Sequence, residues 1–234
     1  MKPMFLLFAL LLSGSPEPQD DWSDFVKLSR DKREGKRCQA VDAIKKYKDL
    51  KMVRVLLPLL ADPHQRVRYR TMRAIGACKD AQATEFLVSK GLRQSHPLIR
   101  SGVAEALGWI KDKSVTAQIL KALDRAKKEY KASLCSALGW IRDEAALEAL
   151  LEAFDDRDWK VRVRALESVW KIDASRAAEI VAEAAKDKAY QVRMKAAEYW
   201  PAIDKTAASA GLGDLAKDKD WRVRFAVIQA TEEL

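Results

Sequence analysis

Turn-forming residues are scarce, with nine glycines and seven prolines in 234 positions. Together they make up about 7% of the chain, where an ordinary globular domain has about 12%. This shortage excludes sandwiches, barrels and disordered linkers, which all need frequent breakers. Cysteine is nearly absent too. Cys38, Cys78 and Cys135 form an odd, sparse set that makes no disulfide framework and is read as free, mostly buried thiols. Only two histidines occur, His64 and His96, and no carboxylate or thiol set completes a metal site around them. A phosphate loop is missing, because Gly211-Leu-Gly213 has no strand before it. No serine or cysteine stands in a recognisable nucleophile setting. These absences point to a non-catalytic protein with no cofactor. The residues that are present, 48% hydrophobic and 33% charged, suit an all-helical fold.

One apolar run stands out. Lys2 precedes Met4 to Leu12, and Ser13-Gly14-Ser15 follows. A short positive region, an apolar core and small residues are the layout of a secretory signal peptide, too short to span a bilayer as a mature helix. Residues 1–15 are therefore expected to direct export to the periplasm or the outside, and 16–20 to form a short spacer. The mature chain carries no other candidate span.

The rest of the chain repeats. An apolar residue followed by a basic one recurs as Val67-Arg68, Ile99-Arg100, Tyr130-Lys131, Val161-Arg162, Val192-Arg193 and Val223-Arg224, at steps of 32 and then 31. Lys36-Arg37 adds an earlier unit, and SALGWIRD at 136–143 nearly duplicates EALGWIKD at 105–112. Within a unit the apolar period is helical: Val161, Ala165, Val169 and Ile172 share one face. Shorter amphipathic runs separate these segments. Each unit is thus a hairpin of an A helix and a B helix, the latter at 33–47, 64–78, 96–110, 127–141, 158–171, 189–203 and 220–233. One hairpin of about 31 residues cannot cover its own apolar face, so neighbours stack into a solenoid. Residues 21–234 are expected to form one α-solenoid domain, a superhelical stack of about seven antiparallel hairpins.

The pattern Asp…Val-Arg…Ala…Ala-Leu-Gly-x-Ile-x-Asp resembles a HEAT repeat of the short phycobilisome-lyase type. Leu107-Gly108 and Leu138-Gly139 fit it best, whereas Lys45, Trp170 and Pro201 replace the glycine elsewhere. The resemblance implies an armadillo-like solenoid that binds partners on a concave surface made by the B helices. It also carries a bilin-lyase-like accessory role, which nothing else in the sequence supports.

Two sets of columns carry the candidate function. Asp62, Asp156, Asp187 and Asp218 each stand six residues before Arg68, Arg162, Arg193 and Arg224, an array that fastens neighbouring units by capping and by ion pairs. It lapses at Gln94 and Arg125. Trp109 and Trp140 occupy one position on adjacent B helices. That position shares a face with Arg70, Arg73, Glu105, Arg164, Glu167 and Lys195, which completes the candidate partner-binding set. Aromatic and arginine clusters are common binding hot spots. The alternative is that both rings seal the seam between units over the thinning glycines. Trp159, Tyr190 and Trp221 are expected to staple turns to the preceding unit, and Trp170 and Trp200 to lie in the core.

Charge is uneven. Residues 26–73 hold fifteen Lys or Arg against five Asp or Glu, whereas 74–234 hold 27 against 25. The formal charge of +9 therefore sits almost wholly on the first two units. Arg37, Lys45, Lys46, Arg66 and Arg68 make a candidate basic patch that could meet nucleic acid or another polyanion. An export signal disfavours nucleic acid, so the leading expectation is a scaffold that binds a protein or peptide.

Overall fold

A computed structural model describes residues 22–126, 128–203 and 211–232. The expected signal peptide and spacer lie outside them. Among the described residues every regular element is a helix, and no helix is long and apolar enough to cross a membrane. The chain divides into two compact units, Met1–Phe86 and Leu87–Leu234.

In the first unit α1 (Trp22–Ser29) packs on α2 (Glu34–Ile44). Then α3 (Leu50–Leu56) tightens into a 3-10 turn, Leu57–Ala61, and packs on α4 (Gln65–Gly76). Helix α5 (Ala81–Ser89) follows and runs across the division between the units. The second unit holds α6 (Pro97–Ile110), α7 (Thr116–Asp124), α8 (Lys128–Ile141), α9 (Leu147–Phe154), α10 (Trp159–Ile172), α11 (Ala174–Ala184) and α12 (Tyr190–Ile203). A helical segment at 211–215 precedes the last helix, α13 (Trp221–Glu232). The B helices α2, α4, α6, α8, α10, α12 and α13 fall where the repeat predicts them, though α2 and α4 end two or three residues early.

The apolar columns make the core. Leu134, Leu138, Val161, Ala165, Val169, Val192 and Ala196 are all fully buried, and Trp200 nearly so. Trp170 departs from expectation: it is only half-buried and stacks on Tyr199 with centroids 4.7 Å apart. The three thiols are free and buried. Aspartates start helices by accepting backbone N–H bonds, as Asp49 does from Met52 (2.7 Å), Asp158 from Lys160 (3.0 Å) and Asp173 from Ser175 (2.9 Å).

The acidic and basic columns interlock. Arg162 donates to both carboxylate oxygens of Asp187 (2.7 Å each) and to the Asp156 carbonyl (2.8 Å), so one guanidinium ties two turns together. Arg193 repeats this with Asp218 and the Asp187 carbonyl, and Lys131 reaches Asp156 at 2.7 Å. Arg37 does the same in the first unit with Asp62. At the lapse the fastening changes chemistry. Arg100 lies 5.3 Å from the centre of the Tyr130 ring, and the Tyr130 hydroxyl donates to the Leu92 carbonyl.

This arrangement corrects one member of the basic patch. Arg37 is buried, with its Nε and Nη2 donating to the Asp62 carboxylate and its Nη1 to the Asp31 and Lys32 carbonyls, so its charge is spent inside the repeat. It offers no charge to an outside polyanion. Half-buried Arg68 spends one amino group on the Asp62 and Pro63 carbonyls, and Arg70 pairs with Asp42. Lys45 also pairs with Asp42, and Lys46 lies 4.9 Å from the Tyr47 ring, yet both remain exposed, as does Arg66.

The turn aromatics also differ from expectation. Trp221 is 63% exposed. Tyr190 is held by the following hairpin, with the Arg222 guanidinium 3.6 Å from its ring centre and hydrogen-bonded to its hydroxyl at 2.8 Å.

Candidate functional site

The second unit carries a groove of about 710 Å³ across the B helices α6, α8, α10 and α12. Two of its tryptophans, Trp109 and Trp140, stand at the C-terminal ends of helices. Lys111 and Arg142, with φ of 60° and 57°, take the left-handed conformation just after α6 and α8, and so place Trp109 and Trp140 in the last turns. Gly108 lets the helices approach: a Cβ there would lie 2.9 Å from the Cα of Ala137. The rings therefore stack, with centroids 5.9 Å apart and planes 25° from parallel. They remain 41% and 37% exposed. The pair thus forms an open aromatic wall rather than a sealed seam.

Ala132, Val163 and Met194, from three successive helices, share the lining with the hydroxyls of Ser133 and Ser136. Trp159, expected to staple a turn, lines the groove instead and is half-buried. Glu105 lies one turn before Trp109 on α6, on the same face. Burial pushes its carboxyl above the usual range, against the opposing pull of Arg164. Glu167 is almost wholly buried and receives two cations: Arg164 donates to it at 2.7 Å, and the Lys195 ammonium lies 3.6 Å away. Lys195 also bonds Glu198.

A further cation sits at the tryptophan wall. The Lys171 ammonium lies 4.4 Å from the Trp140 ring centre, and that of Lys111 lies 5.9 Å away. Burial holds the Lys171 ammonium below the ordinary lysine range, and Arg164, Lys195 and Arg142 add repulsion that Glu167 opposes.

Six of the eight candidate binding residues therefore line one groove: Trp109, Trp140, Glu105, Arg164, Glu167 and Lys195. Arg70 and Arg73 belong to the other unit, where Arg73 is exposed beside the Tyr69 ring. Lys171 follows Trp109 and Trp140 in the same repeat column but carries no aromatic signal there. The apolar lining is equally silent in the sequence, since its small residues look like ordinary core.

The model for HEAT repeats matches residues 53–130, 89–157 and 148–232. The chain belongs to the HEAT-repeat family. Two solved structures extend the comparison of this HEAT-repeat protein. The first is the complex of CpcE and CpcF of phycocyanin lyase from Nostoc sp. PCC7120, at 18% identity and a TM-score of 0.51, with 95% of this chain and 91% of that chain covered. YibA of E. coli aligns at 17% identity and a TM-score of 0.60, covering all of this chain and 86% of its own. Identities this low show the solenoid fold alone. Among curated proteins no sequence matches.

Proposed function

We propose that this HEAT-repeat protein is an exported, non-catalytic scaffold that binds an extended segment of a partner protein in the groove of its second unit. The observation that supports this is the open Trp109–Trp140 stack at one side of a groove crossing four parallel B helices. With helix axes about 9 Å apart, such a groove is about 27 Å long. That length suits about eight residues of extended chain. Among the described residues that line it there is no histidine or cysteine, and Glu167 is occupied by two cations. Export rests on the leader-like sequence at 1–15.

The test is affinity capture from periplasmic extract with the wild type and with Trp109→Ala plus Trp140→Ala. The proposal expects a partner bound by the first and lost from the second. A double variant that folds and keeps every partner removes the groove from consideration.

A second reading, polyanion binding by the first unit, is favoured by exposed Arg66, Lys45 and Lys46 and by exposed Arg73 beside Tyr69, which is 51% exposed. It is weakened by the burial of Arg37. Filter binding that falls steeply with salt supports it.

A further inference from the structure

The groove also carries information about what enters it. Lys160, Arg164 and Lys195 line it, with Lys111 and Lys171 against the Trp140 ring. Facing them are Glu105 and Glu167, of which Glu167 is shared by Arg164 and Lys195, and Lys195 also bonds Glu198, so that five cations meet three carboxylates. Arg164 leaves half its side chain exposed while one amino group holds Glu167. Its remaining donors are available for a second, forked partner.

A basic ligand meets two obstacles here. The Trp140 face, its natural seat, already holds the protein's own ammonium groups. The acid beside the tryptophans, Glu105, is half-buried, and burial raises its carboxyl against the pull of Arg164, so it already answers to a cation of the protein's own. An acidic ligand meets neither obstacle, and it relieves the crowding of Arg164, Lys195 and Arg142 around half-buried Lys171.

Building on the proposed groove, we infer that its occupant is an acidic segment. An Asp or Glu carboxylate seats on Arg164 and Lys195, and a neighbouring apolar or aromatic side chain packs on the Trp109–Trp140 wall.

The probes are fluorescein-labelled nonapeptides in a Gly/Ser background, each with one Phe and, at varied spacing from it, one Glu, Gln or Lys. Fluorescence polarisation measures their binding to the full chain. The expected result is that Glu peptides bind about tenfold more tightly than their Gln counterparts, with the advantage shrinking as salt rises. Arg164→Gln or Lys195→Gln abolishes the advantage, while Glu183→Gln, on the exposed face of α11 outside the groove lining, leaves it intact. Using two separate cation variants guards against a folding defect in either one. Equal affinity for Glu and Gln peptides overturns the inference. So does a preference for Lys peptides that disappears in Glu105→Gln, an outcome that leaves the peptide groove standing. If no peptide binds, the inference and the groove reading fall together.

Discussion

The Arg193 guanidinium spans two hairpins: it donates to the Asp218 carboxylate at 2.6 and 2.9 Å and to the Asp187 carbonyl at 2.8 Å. Both side chains of the ion pair are only 8% exposed. The repeat thus places a desolvated cation at the seam, where neither partner has water to fall back on.

Removing one partner leaves a buried charge unpaired, which costs about 3–5 kcal/mol. Arg193→Ala is therefore expected to lower the urea midpoint far more than Arg33→Ala, whose ion pair with Asp31 lies within one turn and at the surface. Urea unfolding followed by circular dichroism checks this. Equal losses contradict a special role for the seam.

Acid should loosen the same seams. Hydrogen bonds from Arg193 hold the Asp218 carboxyl below its ordinary value. At Asp187 and Asp62 burial is the largest single effect and works the other way, but the bonds and charges of Arg162 and Arg37 together with the backbone N–H bonds of Ala189 and His64 outweigh it, and the net direction is again downward. A depressed folded-state value means that the unfolded chain takes up protons first. The stabilisation is complete above the unfolded carboxylate value of about 3.9 and is lost as pH falls through the folded values below it. Thermal melts between pH 6 and pH 2 should show the melting temperature falling over that acidic window. Asp187→Asn plus Asp218→Asn should flatten the fall.

Two glycines separate close packing from mere helix composition. A Cβ at Gly139 would lie 2.4 Å from the Ser168 Oγ and 2.8 Å from its Cα, so Gly139→Ala must push α8 from α10. A loss of about 1–3 kcal/mol is expected. At Gly35, in the exposed first turn of α2, nothing lies within 4 Å. Gly35→Ala should be neutral or stabilising by up to about 1 kcal/mol. Denaturation midpoints of the two variants decide the matter.

Much of this fold is written in the sequence because identical steps put identical residues in identical surroundings. Val161 and Val192 are both fully buried, and Arg162 and Arg193 each meet the next aspartate. The tryptophan pair was legible for the same reason. Features that depend on a side chain's partner across the seam were not legible. Arg37 belongs to a basic run that reads as a solvated patch until Asp62 is seen to bury it. Trp159 and Trp221 share a column, yet one lines the groove and the other is exposed, because α12 follows α10 in the stack and supplies Gln191, Met194 and Lys195 as a wall on the far side of Trp159. Lys171 breaks the aromatic column by residue type while keeping its place against Trp140.

The most direct test of the central claim is site-specific photo-crosslinking. A photoreactive residue is placed at Ser136, in the groove, or at Glu183, exposed on α11. Crosslinked peptides are then identified after incubation with the captured partner. The account predicts adducts from Ser136 to one extended, acidic stretch of the partner, lost with Trp109→Ala plus Trp140→Ala, and none from Glu183. Adducts from both positions alike, or adducts from Ser136 that survive loss of the tryptophans, contradict it.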